Sequence, residues 1–452
     1  MPDEQLPHNT EAETSVIGAL LIDPDAVLKI RTMLTPGSFF HEDRRYVFEA
    51  IMGLFEEQKP HTDMVLLAER LENAGRLEDI GGQAFLTQMM NETATSLHIK
   101  AHAEILAGHA TLRHAIWISG QIAKKAYAAA KTDAPVQDVI EFTVNAALDL
   151  SKARAEENRQ ATNKDVASKT WDYLEWRSKN RDRLSGITTG IGDVDELLDG
   201  LQPDNLIIVA GRAGMGKTAL ALHMQNAAEL AGYHPLYFSI EMSEQQMGLR
   251  MLARKGRYNL MNLRKGVIDD DQWPVILKDL EEISDLPGYW DYSTSAKLSY
   301  IISSYYAMKA QYGIDLLIID HLNLVSSDKG GYRNDRVKEL GYITKTLKGL
   351  ARDEHIPVVA LHQLNRALAA RKDKRPTLTD LRGSGEIEEN TDEVILIYRD
   401  EVYNPESLDQ GTAEIITAKQ RNGPTGTTTV LYSKFNGMFT DADKQQLKAT
   451  DY

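Results

Sequence analysis

A chain of 452 residues without a single cysteine cannot use disulfides, thiolate metal sites or a cysteine nucleophile. Its net charge of −15 argues against a surface coated with basic groups for duplex DNA, while leaving room for a local basic channel. At 42% apolar and 26% charged the composition is globular, and the length calls for two or three domains.

Apolar residues recur at helical spacing through the first third. Helices are predicted over 11–21, with Val16, Ile17, Leu20 and Leu21 on one face, and over 44–55, with Val47, Phe48, Ile51, Leu54 and Phe55. Others are predicted over 63–73, 83–91, 98–130 and 136–151, divided by Pro24, Pro36, Pro60, Gly75, Gly81-Gly82 and Pro135. Residues 1–150 thus read as an all-helical domain without a catalytic constellation. His98 and His102 have a metal-ligand spacing, but no third ligand pattern accompanies them, and packing or exposure explains them better. A polar, charged stretch over 152–164 opens a linker, 151–185. Within it Val166, Thr170, Trp171 and Leu174 form an apolar stripe. A helix packed on its own domain and a helix docked on a neighbouring subunit fit that stripe equally well.

From Gly186 strands alternate with helices. Strands are predicted over 206–210, 236–240, 316–319, 358–361, 394–398, 414–418 and 427–432. The alternation implies an α/β domain over 186–452 with a mostly parallel sheet, and the close succession of the last strands implies an antiparallel edge.

Between the first of these strands and a helix lies Gly211-Arg212-Ala213-Gly214-Met215-Gly216-Lys217-Thr218, which fits the phosphate-loop pattern G-x-x-x-x-G-K-[ST]. Glycines let successive N–H groups point into one anion-sized concavity, and the helix that follows adds its positive end. Gly214, Gly216, Lys217, Thr218 and Ala219 are the expected nucleotide contacts. Lys217 would reach the β- and γ-phosphates, and Thr218 would place its hydroxyl on Mg²⁺. The alternative is a glycine-rich turn that only joins strand to helix.

Ligands of such sheets bind beyond the carboxyl ends of the strands. Glu241 and Asp320 directly follow predicted strands, and Gln363 follows the strand predicted over 358–361. Asp320 suits Mg²⁺, Glu241 suits deprotonation of an attacking water, and Gln363 suits sensing of the γ-phosphate. One such residue could merely cap a helix; three together beside a phosphate loop point to a hydrolytic site.

The stretch 366–382 carries Arg366, Arg371, Lys372, Lys374, Arg375 and Arg382 against Asp373 and Asp380, and Gly383-Ser384-Gly385 permits close approach to a phosphate. A nucleic-acid channel and a solvated loop both fit. Lys419 and Arg421, before Asn422-Gly423-Pro424, are expected to project outward, either as plain surface cations or as a finger reaching an adjacent subunit's phosphate.

These segments together resemble the hexameric replicative DNA helicases of the DnaB type. The opening Pro7-His8-Asn9-Thr10-Glu11-Ala12-Glu13 is similar to that family's first helix entry, and Thr188-Thr189-Gly190 to its entry into a RecA-like domain. Phe238-Ser239-Ile240-Glu241-Met242-Ser243 resembles the motif of the catalytic glutamate. Asp320-His321-Leu322-Asn323-Leu324 resembles the Walker B segment, and His362-Gln363-Leu364-Asn365-Arg366 the sensor. The segment Asp380 to Glu388 resembles the single-strand-binding loop, and Lys419 to Gly426 the trans-acting cation motif.

The resemblance implies a six-subunit ring that uses ATP and Mg²⁺ to move 5′→3′ on single-stranded DNA and unwind the duplex. It implies a helical collar that receives primase, a linker helix docked on the next ATPase domain, and a helicase loader. Arg250, nine residues after Glu241, matches a nucleotide-contacting position. Arg382, Gly383 and Gly385 match the DNA loop, although the family usually has glutamate where Gly383 stands; a backbone contact survives there and a side-chain role does not. Lys419 and Arg421 would complete the neighbouring nucleotide site. The rivals are a RecA-like recombinase or DNA-binding ATPase without unwinding activity, and a scaffold whose ATPase serves assembly. No apolar run approaches ~18 residues, and Met1-Pro2-Asp3-Glu4 lacks the parts of a signal peptide, so a cytoplasmic protein without membrane contact is expected.

Overall fold

The computed structural model describes residues 5–132, isolated positions between 135 and 146, 162–294, 296–327, 335–365, 368 and 371–442. The chain divides into two compact units, Met1–Val166 and Ala167–Tyr452. Among the described residues no helix is long and apolar enough to cross a membrane.

The first unit is helical: Thr10–Ile22, Ala26–Ile30, Glu42–Glu56, Met64–Asn73, Gly82–Glu92 and Ile99–Thr132. Asn9 caps the first helix by accepting from Ala12 N at 2.9 Å, and Asp63 caps the fourth through Val65 N at 2.9 Å. Val16, Ile17, Leu20, Val47, Phe48, Ile51, Leu67 and Leu86 meet in one core, with Phe55 packed at its margin. Inside lies Glu13, fully buried. A buried carboxylate is costly unless donors surround it. Here Phe40 N donates to it at 2.6 Å, and Nδ1 of His41 lies 2.8 Å away. The predicted helix 136–151 falls largely outside the described residues. Among those residues, no group of three or more His, Asp or Glu could hold a metal, so nothing joins His98 and His102.

The helix Asn163–Lys179 forms as the stripe predicts, but none of its residues is buried, and Val166, Trp171 and Leu174 are exposed. Packing on its own domain therefore finds no support. Its last turn is anchored by Arg177, which donates twice to the Asp199 carboxylate at 3.0 Å.

The second unit is built on a nine-stranded sheet. Its strands are β1 (Leu206–Gly211), β2 (Pro235–Ser239), β3 (Tyr289–Asp291), β4 (Leu316–Asp320), β5 (Val358–Gln363), β6 (Glu393–Tyr398), β7 (Thr412–Gln420), β8 (Gly426–Ser433) and β9 (Met438–Asp441). The order is β3-β2-β4-β5-β1-β6-β7-β8-β9, parallel as far as β6 and antiparallel beyond it. All seven predicted strands are present. The apolar runs of β1 and β4 are buried throughout, as central parallel strands require. β3 and β9 were not predicted. β3 has three residues, held by aromatic contacts such as Trp290 with Tyr237 at 5.0 Å between centroids. β9 is a short edge strand that turns Phe439 into the core.

Candidate functional site

The carboxyl ends of β2, β4, β5 and β1 lie side by side. Register sets Ser239 opposite Asp320 and Gly211 opposite Gln363. The loop after β1 turns through Gly214 at φ 82° and Gly216 at φ 104°, left-handed values that favour glycine. A Cβ on Gly216 would also come within 3.3 Å of the Phe439 ring. The helix Lys217–Leu230 starts there, so its free N–H groups face the concavity.

Lys217 is buried and donates to the carbonyls of Gly211 and Arg212 at 3.0 and 3.3 Å. Burial lowers its pKa, against the Asp320 and Glu241 carboxylates, which raise it. Asp320, the last residue of β4, is buried too. Burial raises its pKa, while hydrogen bonds from Thr218 and Tyr237 pull the other way; the Tyr237 hydroxyl donates at 2.9 Å. Arg250 is half-buried, and its charge acts on that same tyrosine. A buried carboxylate beside a threonine hydroxyl is a hard-oxygen donor set that fits Mg²⁺ completed by phosphate oxygens.

Glu241 lies two residues beyond β2 with its side chain 62% exposed, and its Oε2 is 3.3 Å from Nε2 of buried His321. Gln363 points its side chain outward, and its backbone N–H donates to Asn323 Oδ1 at 2.8 Å. His362 beside it is buried; burial, with His321 and Lys217 nearby, takes its pKa down to about 4. Ala219 accepts from Arg254 at 2.8 Å, and Gly214 accepts from Arg399 at 3.0 Å. Sequence reasoning missed Tyr237, His321, His362, Arg254 and Arg399. Arg399 follows β6 directly, so the strand-end argument extended to one more strand finds it.

The site therefore pairs a phosphate loop with acidic groups on the adjacent strand ends, in a chain whose first unit is helical. The family model for the DnaB-like helicase C terminal domain matches residues 186–441, and that for the N terminal domain matches 5–108. The chain belongs to the DnaB-like replicative helicases. It is 32% identical over 444 residues to replicative DNA helicase DnaC of Bacillus subtilis, across 98% of this chain and 96% of that protein. It is 35% identical to replicative DNA helicase DnaB of Pasteurella multocida, across 97% and 93%. A solved DnaB-like replicative helicase, described with its interactions with primase, superposes with a TM-score of 0.75 at 25% identity, covering 96% of this chain and all of that one.

Elsewhere in this helicase the predicted cations are placed less simply. Lys419 does not project outward. Its ammonium donates to the carbonyls of Glu388 and Thr391, the latter at 2.7 Å, at the end of the helix Gly385–Asn390. Free carbonyls at a helix C-terminus attract cations, which explains the departure. Arg421 is half exposed, with Glu389 O at 3.1 Å and the Asp392 carboxylate at 3.4 Å. Within the basic stretch, Arg371 pairs with Asp380 at 2.9 Å, and Arg375 donates to both oxygens of Glu414, so part of that charge is neutralised inside the domain. The backbone of Arg382, Gly383 and Gly385 runs from the 3₁₀ turn Leu378–Ser384 into the helix Gly385–Asn390. The side chain of Arg382 lies outside the described residues, as does Arg366.

Proposed function

We propose that this chain is one subunit of a hexameric ring that hydrolyses ATP, moves 5′→3′ along one DNA strand and parts the duplex at the fork. The observation that carries the reading is the meeting of Lys217, Thr218, Asp320 and Glu241 at the ends of β1, β2 and β4, in a chain matched along nearly its whole length to replicative helicases.

On ATP binding, the backbone from Gly214 to Ala219 cradles the phosphates, and Lys217 turns from its own loop carbonyls to the β- and γ-phosphate oxygens. Asp320 and Thr218 would hold Mg²⁺, which would supply charge neutralisation at the phosphates. Glu241 takes a proton from water as the water oxygen bonds to the γ-phosphorus. The bond to the bridging oxygen breaks, and its electron pair leaves with ADP. Gln363 senses the γ-phosphate, and Arg250 contacts the nucleotide. Arg421, with Lys419, stabilises the transition state in the neighbouring subunit after leaving the helix end it occupies in the single chain. Arg382 and the backbone at Gly383 and Gly385 contact DNA phosphates, so binding weakens with salt and tolerates any base sequence.

Residues 1–150 form the collar. Primase is its expected partner, a reading supported by the likeness to the solved helicase described with primase. A loader and a cytoplasmic site of action follow from the same role. The test is unwinding of forked duplexes with one tail blocked. Unwinding that needs a free 5′ tail supports the reading; DNA-stimulated hydrolysis without unwinding on any fork would favour a recombinase-like ATPase.

A further inference from the structure

The proposed base, Glu241, is exposed on a turn, and an exposed glutamate has many rotamers among which only a few place its carboxylate over a γ-phosphate. Its polar side-chain neighbour among the described residues is His321, 3.3 Å from Nε2 to Oε2. The two are held very differently. His321 is buried, and the chain around it is tied at several points. Ile240 N donates to Asp320 O at 3.0 Å, Leu324 N donates to His321 O at 3.0 Å, and Arg336 donates to the carbonyls of Leu322 and Asn323 at 3.1 Å. The other ring nitrogen, Nδ1, is buried and has no partner. Nε2 is thus the ring nitrogen that meets the carboxylate. A fixed imidazole therefore faces an exposed carboxylate.

We propose that His321 is a positioning residue for hydrolysis: its imidazole holds the Glu241 carboxylate where it can activate water. This rests on the reading of Glu241 as the base. In this role His321 acts through Glu241, so its loss acts on turnover and leaves nucleotide binding alone. A ring that only fills space would behave otherwise, because any side chain of similar bulk would replace it.

The test compares His321→Phe, which keeps the ring without an N–H, with His321→Gln, which keeps a donor of similar reach. His321→Leu serves as a second donorless variant should the phenylalanine protein not fold. The full-length protein is assayed for steady-state ATP hydrolysis and for binding of a fluorescent ATP analogue. The donorless variant should lose kcat by roughly 10- to 100-fold, with KM and analogue affinity within about twofold of wild type, and His321→Gln should recover most of the rate. In a Glu241→Gln background, single-turnover hydrolysis should not fall further when His321 is replaced, because the carboxylate it positions is already gone. A donorless protein with wild-type kcat, a glutamine variant as slow as the phenylalanine one, or additive losses in the double variant would each overturn the proposal. An active Glu241→Gln protein would instead overturn the assignment of the base.

Discussion

Glu13 and Lys217 are both buried charges, one in each unit, and their surroundings differ. The Glu13 carboxylate meets backbone N–H groups and an imidazole that all belong to one loop, so its needs are met locally and permanently. Lys217 rests on carbonyls of its own loop beside a buried Asp320. Near it Arg212 Nε and Arg399 Nε are buried without a partner. The first arrangement is closed and serves architecture. The second is open and suits a ligand that brings its own oxygens.

Lys217→Ala should separate the two most sharply. Hydrolysis should drop to background because Lys217 is the cation of the phosphate loop itself, while circular dichroism shows the helical unit unchanged. Retained turnover would mean that another cation carries the phosphates. Arg421→Ala should cost roughly 10³–10⁵ in rate, the range for a finger supplied in trans, with analogue affinity largely kept. Mixing it with Glu241→Gln subunits should restore some ATPase activity, since mixed interfaces reunite an intact Glu241 with an intact Arg421. Mixed rings as inactive as their parents, with subunit exchange shown by gel filtration, would place Arg421 in its own site.

On the closed side, Glu13→Ala should lower stability by about 3 kcal/mol, because buried donors lose their acceptor. ATP affinity should not change. A loss of nucleotide binding would show that the units are energetically linked through this residue. The smallest effect concerns Glu393, buried at the start of β6, with Oε1 accepting from Asn205 at 2.8 Å. Burial raises its pKa to about 7 from an ordinary 4.5. The folded protein then holds a proton that the unfolded chain has released between those values. Stability therefore falls as pH rises through this window and stays lower above it. Glu393→Gln should remove that slope and raise stability at pH 8, with little change at pH 4. Urea midpoints at the two pH values decide it; equal slopes in both proteins would exclude Glu393 as the source.

The sheet was legible because its central strands are short, wholly apolar runs that end in a polar residue, as at Ile319-Asp320. The same pattern drew attention to Glu241 and Gln363, which the structure places just beyond β2 and at the end of β5. β3 was hidden because Tyr-Trp-Asp is too short for any period, and its place depends on aromatic contacts with Tyr237. The position of Lys419 was hidden for another reason. A Gly-Pro turn says that a side chain is near the surface, but not that the carbonyls of a distant helix end lie within its reach. Tyr237 and Arg399 act on residues far along the chain, and only the register of β2 against β4 and of β6 beside β1 brings them there.

The backing of the phosphate loop by β9 bears on how the protein is made. Gly216 leans on Phe439, Arg399 braces Gly214 while lying over the Tyr432 ring, and Asp441 accepts from Gly192 N at 3.0 Å. A ribosome delivers residues 211–218 long before these supports, and a nascent chain folds as its parts emerge. The nucleotide pocket therefore stays unfinished until Asp441 has left the exit tunnel. A polypeptide halted after β7 would carry every residue of the phosphate loop and lack the wall behind it.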